Sequence, residues 1–227
     1  MATKYVGGII SKTAPTVTPP VGGEGGSASG VWTMEQALPY IRAGTWPLPV
    51  APKGLWGSGR NSTYGQLGLG NLTNYSSPKQ VGALTNWASV TANAQSALAV
   101  KSNGTLWAWG SNQYYSLGTG QFETNTNIPI QVGNQANWQS VSAGGQIKAL
   151  KTDGSLWGWG DGTYGFGDGS NTSKYIPTQI GTETDWGFIS GQGGSHTAVL
   201  KTNNTLWNWG WNSSGQLGNG TNTGNGS

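Results

Sequence analysis

The chain has 227 residues, of which 34% are hydrophobic, 11% aromatic and only 8% charged, with a net charge of +3. It has no cysteine, which excludes disulfides and thiolate metal sites, and no run approaches the roughly 20 apolar residues of a membrane helix. The 40 glycines and 13 tryptophans are typical of a turn-rich, all-β protein with an aromatic core. The lysines are scattered, so no basic patch for nucleic acid is visible.

The first 30 residues are poor in groups that could build a core. Thr13–Pro20 is rich in threonine and proline, and Val21–Gly30 is mostly glycine, serine and alanine. Such segments cannot bury enough apolar surface to fold alone. Residues 1–30 are therefore predicted to form an extended arm.

Residues 31–53 predict a short helical anchor followed by a linker. Thr33 and Gln36, three positions apart, match a capping box at a helix N-terminus. Trp32 and Trp46 flank this element, and we expect them to fix it to a neighbouring surface.

A pattern of Leu-Trp-x-Trp-Gly recurs at a period of about 50 residues, with a weaker first copy at residues 54–59 in which Ser58 replaces the second tryptophan. Its leading tryptophans are Trp56, Trp107, Trp157 and Trp207. A fixed period of this size predicts a stacked or radial repeat architecture. The predicted units are 54–104, 105–154, 155–204 and a partial 205–227.

Each unit contains further shared features. Asn103-Gly104 and its counterparts lie between two strand-like runs and predict hairpins with type I′ turns. A lysine at the end of the preceding strand (Lys101 in the first unit) is expected to be solvated. The tryptophans predicted to form the repeat core are Trp56, Trp87, Trp107, Trp109, Trp138, Trp157, Trp159, Trp186, Trp207 and Trp209.

This pattern, with Gly65-Gln-Leu-Gly68 and Pro78-Lys-Gln-Val-Gly82 downstream, resembles the repeat of the regulator of chromosome condensation family. The resemblance covers residues 54–227 and implies an all-β fold of β-propeller repeats, because that family's repeats are propeller blades. About three units cannot close a ring of 4–8 blades. We expect the native chain to continue beyond Ser227, the alternative being that several copies share their edges.

The N-terminal segments Gly30-Val-Trp-Thr-Met-Glu-Gln-Ala37 and Arg42-Ala-Gly-Thr-Trp-Pro47 resemble a junction in virion structural proteins of tailed bacteriophages. This resemblance implies a non-enzymatic structural protein of a tail, neck or capsid fibre. It would be located in the virion, dock on other virion proteins through residues 1–46, and form a homo-oligomer, with a trimer favoured.

Two other function classes stay open. The chain could be an adhesin for a host receptor or glycan, for which the non-repeated aromatics are candidates: Tyr75, Tyr114, Phe122 and Trp211. It could also be a eukaryotic-type GTPase regulator, because the family includes a nucleotide-exchange factor. No catalytic, cofactor or metal site is predicted. The single histidine, His196, occupies a framework position that other units give to Ser96 and Gln146.

Overall fold

The structure, a computed structural model, describes residues 54–190 and 195–223 and the backbone of Asn225 and Gly226. The predicted arm and anchor, with Trp32, Thr33, Gln36 and Trp46, lie outside the described residues. In the described part, no helix is long and apolar enough to cross a membrane.

The described residues form fourteen strands and one short 3-10 turn, η1. In chain order they are β1 (Trp56–Gly59), β2 (Tyr75–Gln80), β3 (Trp87–Ala92), β4 (Ser96–Lys101), β5 (Leu106–Gly110), η1 (Gln113–Tyr115), β6 (Thr126–Gln131), β7 (Trp138–Ala143), β8 (Gln146–Lys151), β9 (Leu156–Gly160), β10 (Lys174–Gln179), β11 (Trp186–Ile189), β12 (His196–Lys201), β13 (Leu206–Trp211) and β14 (Asn225–Gly226).

These strands make antiparallel meanders. Three sheets of four strands have the orders β3-β4-β5-β6, β7-β8-β9-β10 and β11-β12-β13-β14, and β1 pairs with β2. The predicted all-β fold of propeller-type repeats is confirmed. Each four-stranded sheet takes its first two strands from one predicted unit and its last two from the next. The predicted domain boundaries themselves stay a prediction.

The predicted hairpins form, but not with the predicted turn. Gly104 has a φ of 77°, whereas Asn103 is not among the residues with positive φ, so the turn is not type I′. The Gly104 N–H donates to the Lys101 carbonyl at 2.8 Å, and the Lys101 N–H donates to the Thr105 carbonyl at 3.0 Å. This pattern fits a right-handed turn followed by a left-handed bulge residue. Asn204 fills the bulge position in a later hairpin, with a φ of 65°.

The core lies between successive sheets. One cluster joins Leu98 and Leu117, from the β3–β6 sheet and its loop, to Trp138 and Trp159 of the next sheet. Trp159 is fully buried, and its indole N–H donates to the Ser116 carbonyl at 3.0 Å. Trp109 makes the equivalent bond to the Gln66 carbonyl at 3.0 Å, so in these two units the tryptophan joins one sheet to the Gly-rich turn before it.

That contact explains one glycine of the Gly-rich turn. A Cβ built on Gly118 would lie 2.8 Å from Nε1 of Trp159, and Gly118 has a φ of +68°. Gly68 has the same relation to Trp109, at 2.8 Å. Only a residue without a side chain lets the turn close onto the indole ring.

The strand-end lysines are buried, which contradicts the expectation of solvated side chains. Lys151 Nζ lies 3.5 Å from the ring centre of Trp157 and 4.9 Å from that of Trp138. The two rings meet edge to face at 5.7 Å. Lys101 makes the same arrangement in the preceding sheet, and burial lowers the pKa of both lysines. The tryptophan faces attract the ammonium groups and replace part of their water.

Two tryptophans assigned to the core are largely exposed, Trp56 at 58% and Trp207 at 48%. In the β1–β2 sheet, no described strand supplies the tryptophan and lysine that cover the leading ring in the other sheets. Trp207 has no cross-strand partner on β14 among the described residues, whereas Gln131 and Gln179 pair with Trp107 and Trp157. Lys201 Nζ lies 4.9 Å from the ring centre of Trp207 and 2.8 Å from Glu183 Oε2. The Glu183 carboxylate accepts a hydrogen bond from the Lys201 ammonium group and thereby raises the pKa of Lys201.

Candidate protein-interaction cleft

Turns from several sheets converge on an open cleft of about 650 Å³. The β3–β4 turn contributes residues 92–96, the β7–β8 turn contributes Gly144 and Gly145, and Ser195 precedes β12. The η1 segment contributes Gln113, Tyr114 and the following Ser116. The cleft thus lies at the end of the sheets where these turns meet.

Hydrogen bonds between neighbouring sheets fix the turns that border the cleft. The Ala143 N–H donates to Thr91 Oγ1 at 3.0 Å, and Asn93 Nδ2 donates to the Gly144 carbonyl at 3.2 Å. Ser142 Oγ donates to the Ser190 carbonyl at 2.9 Å. The first strands of three sheets are therefore joined in sequence near the cleft.

The lining side chains are amides, hydroxyls and small groups. Asn93 Oδ1 accepts hydrogen bonds from the Gln95 N–H at 3.0 Å and the Ser96 N–H at 2.8 Å, so it holds its own turn. Gln95 and Gln113 line the cleft with terminal amides that can both donate and accept. Such a lining suits a protein main chain, which offers donors and acceptors in alternation.

Tyr114 places an aromatic ring beside these amides. It lines the cleft, is 56% exposed, and has φ 59° and ψ 28°. The next residue, Tyr115, has a φ of 61°. Two successive side-chain-bearing residues in the left-handed region are sterically costly and persist only when the surroundings hold them.

A small aromatic cluster holds this turn. The ring centre of Tyr115 lies 4.2 Å from that of Tyr175 and 5.1 Å from that of Phe122. Burial of the hydroxyl raises the pKa of Tyr115, and the neighbouring Tyr175 raises it further.

The structure separates the four aromatics predicted to face a ligand. Only Tyr114 is part of the cleft lining in the described residues. Phe122 supports Tyr115, and Trp211 stacks on Tyr164 with ring centres 5.3 Å apart. The Tyr75 hydroxyl accepts a hydrogen bond from Asn71 Nδ2 at 3.3 Å.

His196 begins β12 and pairs with Gly210 of β13. Its counterparts Ser96 and Gln146 pair with the equivalent glycines of β5 and β9. Among the described residues, no group of three or more His, Cys, Asp or Glu side chains could hold a metal ion.

The sequence analysis did not identify a buried asparagine whose side chain holds the Gly-rich loop by hydrogen bonds. Asn112 is fully buried, and its Oδ1 accepts from the Leu117 N–H at 2.9 Å while its Nδ2 donates to the Gln121 carbonyl at 2.6 Å. Asn61 and Asn212 make equivalent bonds in their loops. The signal was present as an asparagine two positions after the glycine that ends the Trp strand.

Lys148 is a second missed feature. It is fully buried in β8 at a position that neighbouring sheets give to Leu98 and Ala198. Its Nζ donates to Gln146 Oε1 at 2.6 Å and lies 4.2 Å from the ring centre of Phe166. Burial lowers the pKa of Lys148 to about 7, although the Asp168 carboxylate acts in the opposite direction.

Comparison with known families assigns the repeats. Residues 54–100 and 103–149 match a model described as "Regulator of chromosome condensation (RCC1) repeat", and a second model of that description matches residues 87–116. Residues 54–149 are therefore similar to RCC1 repeats. These matches cover less than half of the 227 residues.

Individual proteins and solved structures are also similar to this chain. The guanine nucleotide exchange factor SRM1 of Saccharomyces cerevisiae is 33% identical over 73 residues, which are 30% of this chain and 15% of that protein. The crystal structure of human WBSCR16 is 26% identical with a TM-score of 0.66, covering 77% of this chain and 47% of that chain. Prp20p of Saccharomyces cerevisiae, whose structure was reported with its binding to Gsp1p and histones, is 20% identical with a TM-score of 0.62. The match covers 76% of this chain and 44% of Prp20p, so this chain spans less than half of each of these relatives.

These relatives overturn the virion interpretation. The predicted tail, neck or capsid role is wrong, as are the virion location and the virion partners, and with them the trimer and the host glycan of that interpretation. One relative is a guanine nucleotide exchange factor, and another was reported with its binding to Gsp1p and histones. The error came from residues 1–46, which lie outside the described residues, together with a propeller fold that many functions share. The bacteriophage resemblance finds no support in these comparisons.

Proposed function

We propose that this chain is a non-enzymatic regulator that binds a small GTPase and promotes release of its guanine nucleotide. The observation that carries this proposal is the 33% identity to an exchange factor over 73 residues. Because the chain spans 15% of that protein, we extend to it only the activity class, guanine nucleotide exchange.

The cleft supplies a surface suited to this role. Polar turns from three sheets line it, and an exposed tyrosine, Tyr114, lies beside them. Aromatic rings and adaptable amides are typical contacts at the centre of protein interfaces. The hydrogen bonds between the sheets, such as Asn93 to Gly144, would present this surface in one arrangement.

Exchange needs no covalent step by the regulator. A protein that binds the nucleotide-free GTPase more tightly than the nucleotide-bound form weakens nucleotide binding by the same factor. The regulator must therefore contact a part of the GTPase that differs between the two states. In this proposal the cleft makes that contact.

The test uses the full chain and Gsp1p loaded with a fluorescent GDP analogue. Catalytic amounts of the chain should accelerate loss of fluorescence in the presence of excess GTP. Ala94→Arg, which places a long charged side chain on an exposed residue of the cleft lining, should abolish most of the acceleration.

Ala136→Arg is the matched control, because Ala136 is also exposed but lies between β6 and β7, at the other end of the sheets. It should leave the exchange rate unchanged. No acceleration by the unmodified chain, or an equal loss in both variants, would contradict the proposed function.

A further inference from the structure

One position of the Gly-rich turn has a left-handed backbone conformation in all four units. It is occupied by glycine in three units and by a tyrosine in the fourth. The N–H of this residue donates to the carbonyl three or four positions earlier at 3.0–3.1 Å, and φ lies between 61° and 87°. The four residues are Gly65, Tyr115, Gly165 and Gly215. Glycine meets this φ without steric cost, whereas Tyr115 does not.

The residue that precedes this position also differs in backbone conformation between the units. Tyr64 and Tyr164 precede the equivalent glycines and are not among the described residues with positive φ, whereas Tyr114 has a φ of 59°. The strain is therefore confined to the second of these turns. The packing of Tyr115 on Phe122 and Tyr175 offsets it.

This conformation directs Tyr114 to the cleft. Tyr114 is part of the lining, and neither Tyr64 nor Tyr164 is. Strained backbone that orders an exposed aromatic at the edge of a cleft has no stabilising effect of its own. A contact with a binding partner would account for it.

We propose that Tyr114 is the anchor by which the cleft selects its partner, and that the partner presents an uncharged loop to it. The proposal rests on the proposed function and names the contact that would decide which GTPase is bound. The loop would pack on the Tyr114 ring and exchange hydrogen bonds with Gln95 and Gln113.

The lining explains why that loop would be uncharged. Among the described residues, the lining contains amide, hydroxyl and small side chains and no Asp, Glu, Lys, Arg or His. A charged group brought into the cleft would lose water without gaining a counter-ion. Main-chain groups and neutral polar side chains would instead find donors and acceptors in Gln95 and Gln113.

The test compares Tyr114→Gly with Tyr64→Gly in the full chain, using nucleotide-free Gsp1p as the probe in isothermal titration calorimetry. Glycine suits a φ of 59°, so Tyr114→Gly should not lower Tm. It should nevertheless raise Kd at least about ten-fold, as expected for removal of a central aromatic contact. Tyr64→Gly should leave Kd within about two-fold.

The outcomes separate the two proposals. If the unmodified chain binds Gsp1p and Tyr114→Gly binds equally well, the anchor is overturned and the proposed function stands. If Tyr114→Gly loses affinity and also lowers Tm, its role is structural, and the anchor is again overturned. If the unmodified chain does not bind Gsp1p, both proposals fail.

Discussion

Replacing Lys148 with methionine should stabilise the protein in a pH-dependent way. Lys148 is fully buried, and its pKa falls from the ordinary 10.5 to about 7. One pKa unit equals 1.36 kcal/mol, so burying the ammonium group costs about 5 kcal/mol at low pH. Methionine has a similar length and carries no charge, so it avoids this cost.

The sign follows from proton binding. Between pH 7 and 10.5 the unfolded chain holds a proton on Lys148 that the folded chain has lost, so stability rises with pH in this window. Below about pH 7 both states are protonated, and the cost is constant. The advantage of Lys148→Met should therefore be largest at pH 6 and smaller by about 3 kcal/mol at pH 9.5.

Other groups around Lys148 affect the size of the advantage more than its pH dependence. Gln146 Oε1 would lose its donor, at a cost of about 1–3 kcal/mol at every pH. Asp168 is paired with Lys174 at 2.9 Å, and hydrogen bonds from Ser170 and Lys174 lower its pKa despite its burial. It therefore stays ionised throughout pH 6–9.5.

Urea unfolding at several pH values between 6 and 9.5 gives the measurement. Lys79→Met is the control, because Lys79 is exposed on β2, and its effect should stay within about 0.5 kcal/mol at all pH values. A difference between Lys148→Met and the unmodified chain that does not change with pH would refute the reasoning.

Four further substitutions test the packing by denaturant unfolding. Trp159→Ala should cost about 3–5 kcal/mol because the ring is fully buried, whereas Trp207→Ala should cost clearly less because that ring is 48% exposed; equal costs would contradict the assignment. Gly118→Ala should cost at least about 1–2 kcal/mol, since its Cβ would lie 2.8 Å from Trp159 Nε1 at a left-handed φ; unchanged stability would show that the turn can shift. Asn112→Ala should cost about 2–3 kcal/mol, because two buried loop bonds lose their partner; a change below about 0.5 kcal/mol would argue against the staple.

The period, the strands and the hairpins could be predicted because they depend on neighbouring residues. The alternation in Leu106–Gly110 and the turn-forming pair Asn103-Gly104 decide local conformation before any distant contact forms. The detailed turn type could not be predicted in this way. Asn103-Gly104 is compatible with both turn types, and the packing of Gly104 against the Ala136 carbonyl leaves no room for a side chain.

Burial was harder to predict wherever it depends on residues distant in sequence. Lys148 lies in a strand whose pattern does not distinguish a buried from a solvated lysine. Its space exists because Gly158 lies opposite, where a Cβ would approach the Lys148 side chain to 3.1 Å. Trp207 has the local pattern of Trp157, yet among the described residues no residue of β14 pairs with it as Gln179 pairs with Trp157. Both differences depend on residues outside the repeated motif.

The cleft could not be located from the sequence, but its distinguishing residues are visible there as departures from the repeat. Gly65, Gly165 and Gly215 meet the backbone requirement of the turn at no steric cost, whereas Tyr115 meets it with strain that its packing on Phe122 and Tyr175 offsets. In a repeat protein every unit must satisfy the same packing rules with its neighbours. A unit that meets them in a costlier way, while placing Tyr114 in a cleft, therefore marks the position where binding rather than stability determines the residue.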